Sequence, residues 1–182
     1  MTSVEIKLAG DVGMNKALEE GGVSMEVLHM ESEDERDAGC ARICEVVKSA
    51  YGKDPEAWFF KYYDRIVMLV DNKSGEVVAA TAVHLTVVDD DSVEFKTRFE
   101  AVDKTLQRNG FGSLLFTCVE RFAVRHVVKE GYIQGRIMSF VDQDQLDNGH
   151  GAFMLKNGFE REEDEDEADD EGLAFVKTLE IG

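Results

Sequence analysis

A single proline in 182 residues, with 16 glycines and three cysteines, leaves little room for several classes of protein. Proline-rich linkers and collagen-like repeats are excluded, and 43% hydrophobic residues with 11 phenylalanines give the chain enough apolar mass to fold. Long apolar runs are missing too. Stretches such as Ile66 to Val70 and Val77 to Ala80 fall far short of the roughly 20 residues that cross a bilayer, so no membrane partner is expected. The first fifteen residues hold Glu5, Lys7 and Asp11 and lack a basic start followed by an apolar run, so the expected location is intracellular, cytoplasmic or nuclear. Cys40 and Cys44 sit at helix-face spacing with no second pair to complete a zinc site, so the cysteines read as reduced and no metal is expected.

Positive charge is also scarce. Twenty Lys and Arg face 38 Asp and Glu, a net charge of −18 that would repel a phosphate backbone, so direct nucleic-acid binding is not expected. A cationic partner fits this field. Residues 160–171 form an acidic loop of ten carboxylates and one arginine, which reads either as a solvated loop or as a guide for a basic substrate. Between Lys96 and Arg136 the sign reverses, with eight basic residues against four acidic ones. Such an island suits an anionic ligand held in one place while a cationic one approaches from another.

The length favours one domain over residues 24–182 behind an N-terminal extension, 1–23, that carries one short helix at most. Ser24 to Met30 reads as a strand. Ser32 and Glu35 make a capping box for a helix whose apolar face is Cys40, Ile43, Cys44, Val47 and Tyr51, stopped at Gly52. Asp54 and Pro55 open a second, aromatic-rich helix from Trp58 to Tyr63. Arg65 to Asp71, Glu76 to Val88 and Ser92 to Val102 are three strands joined by short turns, and therefore antiparallel. In the last, Val93, Phe95, Thr97, Phe99 and Ala101 alternate with Glu94, Lys96, Arg98, Glu100 and Val102, one apolar and one charged face. A helix over 112–129, a strand over 132–141, a helix over 149–157 and a strand over 173–181 follow, with another strand open near Phe159. This order lacks regular βαβ alternation and excludes a classical dinucleotide fold.

Between the charged-faced strand and the long helix lies Gln107-Arg108-Asn109-Gly110-Phe111-Gly112. Glycines at a strand-to-helix junction let backbone N–H groups approach a pyrophosphate while the helix dipole favours its charge; by spacing alone a packing turn reads equally well. Gln107, Gly110 and Gly112 match the cofactor motif of the GCN-related N-acetyltransferases (GNAT superfamily), and the chain resembles that family from about residue 24 to its end. Phe99 to Val102, Thr105, Gln107 and Gly110 to Gly112 look like the corresponding run of the PCAF-type histone acetyltransferases. Asn148, then Phe153 to Lys156 and Gly158-Phe159, is similar to the family's later Asn and Gly-Phe segment.

The resemblance implies an α+β, GNAT-like acyl-CoA N-acyltransferase fold, a central mixed, mostly antiparallel sheet flanked by helices. It implies acetyl-CoA as donor, in a cleft where parallel strands ending near Val102 and Val141 part. Backbone groups of Glu100, Ala101 and Val102 would hold the pantetheine arm, and Gln107, Arg108, Asn109, Gly110, Phe111, Gly112 and Ser113 would wrap the pyrophosphate. Asn148, Phe153 and Lys156 would flank the cofactor's far side; a helix cap for Asn148 and core packing for Phe153 stay open. Transfer would be direct attack by a primary amine, a lysine side chain or a small cationic amine. Where PCAF-type enzymes carry a glutamate base this chain has Lys96, which leaves Glu94, Glu100 and His84 as candidates to take the amine's proton. Where many members carry a tyrosine it has Met154, whose thioether donates no proton. The alternative is an acetyl-CoA-binding interaction or sensor module without catalysis. The oligomeric state is open.

Overall fold

The computed structural model describes residues 12–52, 63–162, 173–179 and 181. The aromatic-rich helix expected before Tyr63 and the acidic loop beyond Glu162 lie outside them. The elements in chain order are α1 (Val12–Gly21), β1 (Val23–His29), α2 (Glu33–Tyr51), β2 (Arg65–Asp71), β3 (Val77–Asp89), β4 (Ser92–Val102), α3 (Phe111–Glu130), β5 (Gln134–Val141), α4 (Gln143–Asp147), α5 (His150–Lys156), β6 (Glu160–Arg161) and β7 (Leu173–Thr178). The strands make a seven-stranded sheet in the order β1-β2-β3-β4-β5-β7-β6. β4 and β5 are parallel, while the β1·β2, β2·β3, β5·β7 and β6·β7 pairs are antiparallel. The expected α+β mixed sheet is the observed one. Among the described residues no helix is long and apolar enough to cross a membrane.

Residues form two compact units, 1–84 with 99–119 and 85–98 with 120–182. In the first, α2 starts at the Ser32–Glu35 capping box and ends at Gly52, whose φ of 68° and N–H bond to Lys48 O close the helix as its sequence requires. Its buried Ile43, Val46 and Val47 pack on Ile66, Met68, Ala80 and Ala82 of the sheet, together with Phe99 and Ala101 from the end of β4. α1 joins this unit at its last residue: a Cβ on Gly21 would lie 3.7 Å from the Phe111 ring and 4.0 Å from Leu114.

In the second unit, Phe95 packs edge-on against Phe122, ring centroids 6.1 Å apart. Gly135 on β5 lies so close to its neighbours that a Cβ there would come within 2.7 Å of Val127 and 2.9 Å of Leu179. The single helix expected over 149–157 is two. Asp142 and Gln145 form a capping box that starts the five-residue α4, and α5 follows at His150. The last strand ends at Thr178 rather than Ile181.

The alternation expected along β4 fails at one point. Phe99 has a φ of 60°, a left-handed value that an aromatic residue rarely adopts. A residue so placed interrupts the pleat and resets which side chains share a face. The charged face is also not a solvated one: Glu94 and Glu100 are both buried. Pairing between β4 and β5 ends at Thr97↔Ser139, although β4 itself continues to Val102.

Candidate functional site

β4 leads into the glycine loop through a set of bonds all made within the first unit. Asp103 N donates to Val78 O at 2.9 Å, holding the strand's end against β3. The Asp103 carboxylate then accepts from Thr105 N at 2.9 Å, from the Thr105 hydroxyl, and from Ser49 Oγ at 2.9 Å, while Lys104 N donates to Ser49 Oγ at 3.1 Å. The Thr105 hydroxyl, its N–H and the Ser49 hydroxyl all favour the ionised form and hold the Asp103 carboxyl below the usual carboxylate range. Gln107 Nε2 donates to Val102 O at 3.2 Å, and Tyr51 Oη donates to Glu100 O at 2.8 Å. The end of β4 and the loop are thereby tied both to each other and to the last turn of α2.

The loop closes with Arg108 at φ 65° and Gly110 at φ 88°, and Leu114 N donates to Gly110 O at 3.0 Å as the first helical bond of α3. Residues 107–110 are exposed. A Cβ on Gly110 would meet nothing within 4 Å, so glycine is needed there for its backbone conformation and not for want of space. The N–H groups of Phe111, Gly112 and Ser113 precede any intrahelical acceptor, and the first turn of α3 carries no acidic residue. An anion at this turn would meet three backbone donors and the positive end of a 20-residue helix. The structure thus brings Glu100 to Val102 and Gln107 to Ser113 together at one strand-to-helix junction.

Of the proton-acceptor candidates, His84 also belongs to this unit. Its Nδ1 lies 2.8 Å from Asp64 Oδ2, and its side chain is 43% exposed. Glu100 is 9% exposed. Glu94, in the second unit, is 4% exposed and is held by Arg136 Nε and by Lys96 Nζ at 3.4 Å, with Arg136 reaching on to Glu162 at 3.1 Å. Lys96 and Glu94 therefore form part of a four-residue ion-pair chain of balanced charge.

The later candidates lie in the second unit. Asn148 ends α4 and its Nδ2 donates to Asp144 O at 2.7 Å, the capping use left open by the sequence. Phe153 is half-buried with its ring 5.4 Å from His150, Lys156 is exposed, and Met154 is fully buried. Lys177 Nζ binds Glu120 at 2.8 Å and Asn157 O at 3.1 Å, beside an open groove of about 670 Å³ that Glu160, Arg161 and Glu162 also line. Burial pushes the Cys118 thiol up to about 12, and burial with Cys44 nearby pushes Cys40 up to about 11, so both stay protonated and neither serves as a nucleophile. Among the described residues no group of three His, Cys, Asp or Glu is arranged to hold a metal ion.

Ser49, Tyr51 and Asp64 make contacts here that the sequence did not disclose. Tyr51 was visible only as the last apolar position of α2, and Ser49 carried no signal, because each finds its partner about fifty residues away. Asp64 is linked to His84 by strand register alone.

No protein-family model matches the chain, and no curated protein does. Solved structures do. A protein from Desulfovibrio desulfuricans assigned to the GNAT family of acetyltransferases aligns over 87% of this chain and 100% of its own, at 15% identity and a TM-score of 0.58. A point mutant of the AtaT toxin, solved with the C-terminus of the antitoxin AtaR and acetyl-CoA, aligns over 86% of this chain and 93% of its own, at 14% identity and a TM-score of 0.56. An aminoglycoside acetyltransferase from an uncultured soil metagenome, solved with sisomicin, aligns over 76% and 89%, at 15% identity and a TM-score of 0.55. At these identities the likeness is one of fold, and the fold of this chain is that of the GNAT acetyltransferases.

Proposed function

We propose that this protein is an acetyl-CoA-dependent N-acetyltransferase that transfers the acetyl group by direct attack of a primary amine. The observation that carries the reading is the junction at the end of β4: a braced strand end, a loop closed by Arg108 and Gly110 in left-handed conformations, and a helix start with three backbone donors and no acid. Gln107 to Ser113 would receive the pyrophosphate there, and the backbone of Glu100 to Val102 would receive the pantetheine as an added strand. Asn148, Phe153 and Lys156, in the second unit, stay with this reading as cofactor-binding candidates on the strength of the resemblance alone. The finer likeness to PCAF-type enzymes, carried by Phe99 to Val102 and Gln107 to Gly112, belongs to it as well.

The acceptor is a cationic amine or a lysine side chain. A net charge of −18 draws such a molecule in, and one protein of this fold was solved with the aminoglycoside sisomicin. The amine nitrogen bonds to the thioester carbonyl carbon as the carbon–sulfur bond breaks, and backbone N–H groups polarise the carbonyl oxygen.

Thermal unfolding with acetyl-CoA, CoA and ATP tests the donor site. Saturation at 100 times Kd adds about 2.7 kcal/mol, a rise of roughly 5 to 11 °C for a chain of this size. Both CoA species should raise the Tm, ATP should not, and Gly110→Ala should weaken the shift because an alanine Cβ strains the left-handed conformation by about 1–2 kcal/mol. No shift at millimolar acetyl-CoA removes the reading. The second reading, a CoA-binding module without catalysis, is favoured by one observation: Met154, which stands where many members of the resembled family carry a tyrosine, is fully buried and its thioether donates no proton. CoA release dependent on an amine excludes it.

A further inference from the structure

Asp64 precedes β2 and is pinned at its backbone. Its N–H donates to Val83 O at 3.0 Å, and its carbonyl accepts from Met30 N at 3.0 Å and from Arg65 Nη1 at 2.6 Å. The register Arg65↔Val83 makes Asp64 and His84 cross-strand neighbours. Asp64 lies two residues before Ile66 and His84 two residues after Ala82, so both continue the sheet face that packs on α2. There His84 Nδ1 lies 2.8 Å from Asp64 Oδ2. The Nδ1 atom is closed to solvent and meets Asp64 as a charge contact without hydrogen-bond geometry, whereas the side chain as a whole is 43% exposed.

This pair stands beside the end of β4. Tyr63, next to Asp64, packs edge-on against Phe99 with ring centroids 6.4 Å apart, and Phe99 immediately precedes the three residues that the transferase reading gives to the pantetheine. The carboxylate of Glu94 is buried between two cations and that of Glu100 is nearly closed to solvent, so neither is open to an arriving amine as the imidazole is.

We propose that His84 takes the proton of the acceptor amine and that Asp64 is its positioning residue, an inference that rests on the transferase reading above. The Asp64 carboxylate, 2.8 Å from Nδ1, favours the proton on that nitrogen by its charge and leaves Nε2 as the acceptor. As the amine's C–N bond forms and the C–S bond breaks, the proton lost by nitrogen passes to Nε2. The imidazolium so formed faces the Asp64 carboxylate, and the CoA sulfur leaves as thiolate and takes a proton from water. Arg65, next to Asp64 in the chain, is joined to Glu31 at 3.4 Å and donates to the Asp64 carbonyl at 2.6 Å.

The test measures CoA release from acetyl-CoA with spermidine, an oligolysine peptide and sisomicin as acceptors, beside the acetyl-CoA thermal shift of each variant. His84→Ala should lower kcat by about 10²- to 10⁴-fold, leave the KM for acetyl-CoA and the thermal shift unchanged, and regain part of the lost rate with added imidazole. Asp64→Asn should lower kcat by about tenfold or more at unchanged KM for acetyl-CoA, and imidazole should not restore it. If the alanine variant does not fold, His84→Gln reads the same loss. Turnover retained in His84→Ala or His84→Gln overturns the pair and leaves the transferase reading in place. A wild-type protein that shifts with acetyl-CoA but releases no CoA with any of the three acceptors overturns the pair and favours the silent module. Absence of the shift overturns the donor site, and the pair with it.

Discussion

Tyr51 Oη donates to the carbonyl oxygen of Glu100 at 2.8 Å, so the last turn of α2 is fastened to β4 one residue after its left-handed Phe99. Ser49, two residues earlier on the same helix, reaches the Asp103 carboxylate at the other side of that strand end. One helical turn thus braces both the strand that would carry the pantetheine and the loop that would carry the phosphates.

Tyr51→Phe removes the hydroxyl and keeps the ring. One hydrogen bond is worth about 1 kcal/mol, which lowers the Tm by roughly 2–4 °C in a chain of this size. The same loss at the strand end should raise the KM for acetyl-CoA by up to about fivefold, because the same 1 kcal/mol read as affinity is a factor of that size. Steady-state kinetics with acetyl-CoA varied would show it. An unchanged KM with a lowered Tm would confine Tyr51 to stability.

Glu94→Gln separates a structural carboxylate from a catalytic one. It leaves Arg136 and Lys96 without their shared partner, and since both cations are about 40% exposed, water recovers part of the loss. The expected cost is about 1–3 kcal/mol, below that of breaking a fully buried pair. Denaturant unfolding should show that loss while the kcat of the folded variant stays within about twofold, since general-base removal costs a hundredfold or more. A fall in kcat of that larger size would return Glu94 to the reaction.

Acid should release the bracing of the loop only below the ordinary carboxylate range. Asp103 is held below the usual carboxylate range by the Thr105 hydroxyl and N–H and by Ser49, as Asp71 is by the Ser74 and Lys73 N–H groups and Asp89 by the Ser92 hydroxyl and Asp91 N–H. A folded-state pKa below the unfolded one gives stability that is complete above about pH 4, the unfolded carboxylate value, and is lost as pH falls through the folded one. Asp103→Asn should therefore flatten the decline of stability below pH 4 by its own share, leaving those of Asp71 and Asp89. Unfolding curves of the two proteins from pH 2 to pH 6 would reveal it, and parallel curves would contradict it.

What the sequence disclosed was local. Ser32 with Glu35, Gly52, and the Gln107 to Gly112 run each act over a few residues, and the structure has α2 and the β4-to-α3 junction where they indicate. The errors came from partners distant along the chain. Glu94 read only as one carboxylate of a charged face because Arg136, its partner, lies 42 residues away. Glu100 read as sharing that face because alternation assumes an unbroken pleat, and no residue type announces that Phe99 will leave it. α4 is too short to show a helical period, although Asp142 and Gln145 were its capping box in plain view.

Gly135 bears on spacing. Val127 and Leu179 stand so near its Cα that even one methyl group would have to displace a branched side chain on either side. A bare Cα at the second residue of this strand thus sets how closely Val127 and Leu179 approach β5, so the separation of these layers is written into one missing methyl group.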